Sequence, residues 1–131
     1  MMNPQELKIL GRTLRWLPAL LKARPGRRYT TADLIEESAR RFGDRAFVEF
    51  EGRTVTYEEF NRAANHVAHW AIGRGLHKGD VVALMMPNRP EYAAIWLGVT
   101  RTGGVMALLN TNLVGASLIH CIDFVGAKHI I

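Results

Sequence analysis

The sequence predicts an α/β fold, and three observations carry that prediction. Two continuous apolar runs, "DVVALMM" at 80–86 and "VMALLN" at 105–110, are bounded by turn residues, as expected for parallel strands buried on both faces. Segments with helical apolar spacing alternate with them, and "KHII" at 128–131 begins a third run. Strand, helix, strand, helix, strand is the order of a parallel sheet with right-handed crossovers. Upstream, two β-rich runs flank Glu51-Gly52, a hairpin signal. The expected architecture is a β-hairpin plus a parallel βαβαβ sheet flanked by helices.

The elements follow in order. Residues 5–23 repeat Leu7, Leu10, Leu14, Leu17 and Leu21 at helical spacing, with Trp16 beside the stripe and Pro18 as a kink. "ARPGRR" breaks this helix at Pro25-Gly26, which sets the boundary between an arm, residues 1–28, and a domain, residues 29–131. "TTADLIEESARRFGDR" predicts a helix capped by Thr30 or Thr31 and stopped by Gly43, with Leu34, Ile35, Ala39 and Phe42 as its apolar face. "TYEEF" carries Thr56 three residues before Glu59, a capping box. The helix it opens buries Phe60, Ala64, Val67 and Ala71 and ends at Gly73 and Gly75. "NRPEYAAIWLGVTRTGG" predicts a helix with Asn88 as cap, Pro90 in the first turn and Gly103-Gly104 at the end; Tyr92, Ile95, Trp96 and Val99 share one side. "VMALLN" reads as a second buried strand. A last helix runs from about Val114 to Val125 and closes at Gly126. A buried parallel strand normally continues into further structure, so "KHII" reads as the point where a larger α/β protein goes on, with a short edge strand of a small complete domain as the alternative.

Composition excludes several function classes. With 48% hydrophobic and 22% charged residues in 131, the chain is globular. The single cysteine, Cys121, excludes an internal disulfide framework and a Cys-rich zinc pattern. "MMNPQELKIL" lacks a secretory pattern, and no apolar run is long enough to span a bilayer. A cytoplasmic location follows, with the arm as a peripheral membrane contact. The net charge of +5 is uneven: residues 1–28 hold seven basic residues against Glu6, and the rest holds ten basic and eleven acidic. A basic arm favours anionic partners. Leu10, Leu14, Trp16, Leu17 and Leu21, flanked by Arg12, Arg15 and Lys22, fit a helix lying in a membrane interface; packing on the protein's own surface is the alternative. Nucleic acid is not expected, because no recognition motif accompanies the charge.

"LLNTNLVGASLIHC", residues 108–121, collects the residue types of nucleophilic catalysis. On a regular helix, Leu118, Ile122 and Val125 point one way with Cys121 at their flank, while His120 projects nearly opposite, beside Asp123. Ser117 lies between. Such spacing does not aim a nucleophile and a base at one centre, so scaffold is the expectation. His66 and His69 lack the third ligand that a metal site needs. "GRGLHKG", residues 73–79, follows a helix and precedes a strand, the reverse of a phosphate-binding loop; a helix C-cap is expected. Asn110, Thr111 and Asn112 fall at the C-terminal end of a strand, the edge where open α/β sheets bind ligands. They are the candidate substrate-wall residues, with a capped turn as the alternative. A half-built sheet also leaves an edge and apolar helix faces open to self-association.

From about residue 30 onward, "TYEEF", "GLHKGDVVALMMPNRPEY", a helix ending in Gly-Gly, and "LLNTNL" occur in an order that resembles the N-terminal region of the adenylate-forming superfamily. That superfamily comprises acyl-CoA synthetases, luciferases and peptide-synthetase adenylation domains. "ALLNTNLVGASLIHCI" is most similar to the fatty acid transport protein and very-long-chain acyl-CoA synthetase branch. The resemblance implies an N-terminal fragment of the acyl-CoA synthetase large domain. It implies, for the full-length enzyme, that a fatty acid carboxylate attacks ATP with Mg2+, and that the thiol of CoA then displaces AMP. In the family the phosphate loop with its lysine, the adenine and ribose motifs and the lid lysine lie downstream. No residue of 1–131 matches a catalytic, cofactor-binding or metal-binding position, so the chain alone is expected to be inactive; a stand-alone module that docks on membranes or on a partner through its basic arm is the alternative.

Overall fold

The computed structural model describes residues 29–131. The predicted arm helix lies outside the described residues, with Leu10, Arg12, Leu14, Arg15, Trp16, Leu17, Pro18, Leu21 and Lys22, and so does the Pro25-Gly26 boundary. Among the described residues no helix is long and apolar enough to cross a membrane.

Helix α1 spans Thr31–Phe42 and stops before Gly43. Ile35 is its buried residue, and Ala39 and Phe42 follow it on the inner face at i+4 and i+7. Leu34, expected on that face, is 50% exposed; it sits one residue, about 100° of helical turn, from Ile35. Strands β1 (Ala46–Phe50) and β2 (Arg53–Thr56) pair antiparallel. The two residues between them, Glu51 and Gly52, have φ of 48° and 76°, the left-handed pair that matches the twist of a two-residue hairpin.

The capping box forms as the sequence predicts. At the start of α2 (Tyr57–Gly73), the Glu59 N–H donates to Thr56 Oγ1 at 3.2 Å and the Thr56 N–H donates to Glu59 Oε2 at 3.0 Å. At the other end Gly75 takes φ 73°, its N–H donates to the Ile72 carbonyl, and the Leu76 N–H donates to the Ala71 carbonyl. This is a Schellman closure with its apolar contact, because Leu76 and Ala71 share one core cluster. "GRGLHKG" is therefore a helix C-cap.

Three parallel strands follow in the spatial order β4-β3-β5. Strand β3 (Val81–Leu84) is central, and Val82, Ala83 and Leu84 are fully buried. Strand β4 (Val105–Leu108) pairs with it from Val81↔Val105 to Leu84↔Leu108, and β5 (His129–Ile130) from Val82↔His129 to Ala83↔Ile130. The expectation of two strands buried on both faces holds for β3 and fails for "VMALLN": Val105 is 49% and Leu108 52% exposed. The reason is position. Among the described residues β4 has a partner on one side only.

Helix α3 (Pro90–Arg101) connects β3 to β4. Pro90 opens it, but its cap is Arg89, without a side-chain hydrogen bond, rather than Asn88. Its buried face is Ala94, Leu97, Gly98 and Val99, in place of Tyr92, Ile95, Trp96 and Val99; Trp96 is 44% exposed. Small residues won because α3 lies close against α2. A Cβ on Gly98 would come within 2.5 Å of Val67 Cβ and 2.6 Å of the Ala64 carbonyl oxygen. Helix α4 (Gly115–Val125) ends on the left-handed Gly126, φ 60°, as predicted.

Two polar knots lock these layers. Arg101 donates to Asn61 Oδ1 at 2.7 Å, to Asn65 Oδ1 and to the Ala32 carbonyl at 3.5 Å, joining α3 to α2 and α1. Partial burial pulls its pKa down, against the nearby charges of Glu36 and Asp33. At the N-terminal end of the sheet, Asp80 accepts from Lys128 Nζ at 2.7 Å and from the His77 N–H at 2.8 Å. The Lys128 contact, then the His77 amide, hold its carboxyl below the ordinary 3.8.

Gly98→Ala should lower stability by about 2 kcal/mol despite its better helix propensity, because one of the clashing atoms is backbone and cannot rotate away; urea unfolding measures it. For Asp80 the folded pKa is depressed, so its contribution is complete above the unfolded value and is lost as pH falls through the folded one. The stability gap between wild type and Asp80→Asn should therefore shrink as pH is lowered from neutral toward about 2, read by denaturation at each pH.

Candidate functional site

The C-terminal ends of the three parallel strands define the edge where an open α/β sheet takes ligands. There the main chain is closed by the sheet itself: the Leu109 N–H donates to the Leu84 carbonyl, and the Met85 N–H to the Ile131 carbonyl. Beyond β4 the chain enters the predicted Asn110, Thr111, Asn112 stretch, all three exposed. Asn110 Oδ1 accepts from the Asn112 N–H at 2.9 Å, and the Asn110 carbonyl accepts from the Leu113 N–H at 3.1 Å. Asn110 thus forms an Asx turn that leads toward α4. The three residues are together at the ligand edge, and Asn110 spends two acceptors on holding its own loop.

Beyond β3, Arg89, Pro90 and Glu91 join Phe50, Glu51 and Arg53 of the hairpin around a shallow cavity of about 140 Å3. Arg89 Nε contacts Glu91 Oε2 at 2.8 Å, and Arg53 Nη1 lies 3.8 Å from Glu91 Oε1. The Glu91 carboxylate also accepts from its own backbone N–H at the start of α3. That bond first, and Arg89 second, hold its carboxyl below the ordinary 4.5. Sequence reasoning missed these residues. The local signal was present as Pro90 followed by an acid in the first turn, but the approach of Arg53 comes from the hairpin and has no local signature.

The reactive-looking residues of α4 do not converge. Ser117 and His120 are exposed, while Leu118, Cys121, Ile122 and Val125 form the half-buried face. The His120 ring lies 6.1 Å from the ring of Phe124, one turn along the same helix. His66 and His69 are exposed on α2.

A phosphate needs free N–H groups at a helix N-terminus or a cation beside it. The α3 N-terminus already holds the Glu91 carboxylate, and residues 102–127, which include the whole β4–α4 turn, contain no lysine or arginine.

Residues 35–131 match the family described as "AMP-binding enzyme". Long-chain fatty acid transport protein 2 of Rattus norvegicus is 38% identical over 91% of this chain, and a medium/long-chain-fatty-acid–CoA ligase, FadD6, of Mycobacterium tuberculosis is 32% identical over 85%. The chain spans 19% of the length of each, and 16% of long-chain fatty acid transport protein 6 of Mus musculus, which is 38% identical over 75% of this chain. Among solved structures, the N-terminal subdomain of Klebsiella oxytoca NpsA in complex with 3-hydroxyanthranilyl-AMSN superposes with a TM-score of 0.70 at 28% identity, over 76% of this chain and 26% of that one. With residues 35–131 matched, the chain belongs to the adenylate-forming, AMP-binding enzyme family, and its relatives include long-chain fatty acid transport proteins.

Proposed function

We propose that this chain corresponds to the N-terminal portion of an ATP-dependent fatty acyl-CoA synthetase acting on long or very long chains, converting fatty acid, ATP and CoA to acyl-CoA, AMP and pyrophosphate. The observation that carries the reading is the 38% identity to a long-chain fatty acid transport protein across 91% of the chain. In this reading ATP, Mg2+ and CoA serve the whole enzyme and are held by residues outside this chain. Residues 29–131 are then a partial subdomain that supplies framework: β3 as the sheet's spine, α2 and α3 as its cover, and Asn110, Thr111 and Asn112 as one wall of the acyl site.

Two measurements test it. The chain alone should give no ATP–pyrophosphate exchange with any fatty acid, and measurable exchange overturns the assignment of chemistry elsewhere. Residues 35–131 placed in the equivalent segment of the rat transport protein should give a folded chimera that still forms long-chain acyl-CoA. A folded chimera without that activity, beside an active parent, counts against a shared role.

For residues 1–28 a second role rests on seven basic residues against one acid, together with the leucine stripe and Trp16. We propose that this separate arm docks on anionic membranes, with Leu10, Leu14, Trp16, Leu17 and Leu21 entering the interface and Arg12, Arg15 and Lys22 meeting headgroups. Co-sedimentation with phosphatidylserine vesicles should pull down the full chain and should weaken with added salt. Removal of residues 1–28 should abolish it, and equal binding by both forms removes the idea.

A further inference from the structure

At the N-terminal edge of the parallel sheet, opposite the ligand edge, three turns meet: 73–80 before β3, 102–104 before β4 and 126–128 before β5. Main-chain bonds tie them to one another and to the sheet. The Gly79 N–H donates to the Gly103 carbonyl at 2.9 Å, the Val105 N–H to the Asp80 carbonyl at 2.8 Å, and the Lys128 N–H to the Val81 carbonyl at 2.8 Å. These turns carry Arg74, Lys78 and Lys128 against a single acid, Asp80. The Asp80 side chain is 15% exposed, and its two oxygens already hold Lys128 Nζ and the His77 N–H. Arg74 and Lys78 are exposed and form no ion pair among the described residues. Lys78 is aimed by packing. A Cβ on Gly103 would meet its Cγ at 3.1 Å, so the stem lies across a glycine and the ammonium head is left to water. In the last turn of α2, two residues before Arg74, Ile72 is 63% exposed.

We infer that this edge of the folded unit is a second contact with anionic membranes, in which Ile72 enters the headgroup layer while Arg74 and Lys78 meet lipid phosphates and carboxylates. Charge complementarity sets the sign of the partner: two unpaired cations stand beside an acid that is already taken. The apolar residue selects a lipid surface. An exposed isoleucine beside uncompensated cations gains by entering an interface that is apolar beneath and anionic above, whereas a soluble phosphate offers it nothing. The contact is limited in strength. Each Lys or Arg near an anionic surface contributes about five-fold to binding. Two such residues and one isoleucine therefore orient the folded unit on a membrane without holding it there alone, and the basic arm remains the anchor. The surface is independent of the ligase reading and leaves Asn110, Thr111 and Asn112 free at the opposite edge. It deepens the membrane-docking reading of the chain, and the two can fail separately, because the arm is tested by deletion and this edge by substitution.

Phosphatidylserine vesicles and the full chain test it. Arg74→Gln with Lys78→Gln should weaken co-sedimentation about 25-fold, at about five-fold per neutralised cation. Arg45→Gln with Arg62→Gln removes the same charge from exposed positions elsewhere on the folded unit and should weaken it far less, since charges held away from the surface are screened. A solvent-sensitive dye reads the apolar contact directly. In a Cys121→Ser background, dye on Ile72→Cys should shift to the blue on phosphatidylserine vesicles and stay unshifted with phosphatidylcholine vesicles. Dye on Ala63→Cys, at an exposed position earlier on α2, should stay unshifted with both. Docking by the arm alone tethers the chain without burying position 72, so the dye separates the two contacts. Equal weakening by the two pairs of substitutions, an unshifted dye at position 72, or equal shifts at positions 72 and 63 overturns the inference.

Discussion

The close contact between α2 and α3 at Gly98 sets the positions of the rest of the folded unit. The two core clusters meet there. Ala64, Ala94 and Leu97 belong to the cluster that also holds Ile35, Val55 and Phe60. Ala71 and Val99 belong to the one that holds Leu76 and Val82. Leu97 and Val99 flank Gly98 in the chain, so a single helical turn of α3 feeds both clusters. Any separation of the helices would draw Leu97 from one and Val99 from the other. Because α3 also joins β3 to β4, its seat on α2 fixes where the parallel sheet lies beneath the helices. Burial of about 25 cal/mol per Å2 of apolar surface acts here only because glycine allows the backbones to meet.

The local devices were legible because each is complete within a few residues. The capping box is Thr56 and Glu59, the hairpin turn is Glu51 and Gly52, and the Schellman closure runs from Ala71 to Leu76. The scaffold reading of Ser117, His120 and Cys121 was likewise available from helical spacing alone. What could not be read was set by distant parts of the chain. Arg101 reaches partners 36, 40 and 69 residues away, and Asp80 is held by Lys128. The buried face of α3 was misread because periodicity favours large apolar residues, whereas the real face was chosen by how near α2 comes. The exposure of β4 depends on strand order, which a single strand's composition does not encode.

At the candidate site the same polar groups that mark the ligand edge also stabilise it. Asn110 closes its own turn, and Glu91 occupies the first turn of α3 between two arginines. The substrate-wall reading of Asn110, Thr111 and Asn112 rests on their placement beyond β4 and not on any side chain left poised for reaction.

The two faces of the parallel sheet differ in a way that the strand register makes explicit. Val82 lies among Ala71, Val99 and Met106, so that row faces α2 and α3. The alternate row is Ala107, Ala83 and Ile130, and it faces the other side, toward α4. Helix α4 has no fully buried residue, and Val114, Ile119 and Phe124 are 76%, 60% and 82% exposed. On one side the sheet has a finished core; on the other it has small side chains and a helix held by a half-buried face. Local stability tracks buried apolar contact, so β3 with α2 and α3 carries the larger core, and β5 joins it through its pairing with β3, the His129 ring on Trp70, Ile131 against the core and the Lys128–Asp80 contact. The residues that looked reactive in the sequence thus sit on the element with the least hold on the core, which is a poor foundation for the fixed geometry that bond-making requires.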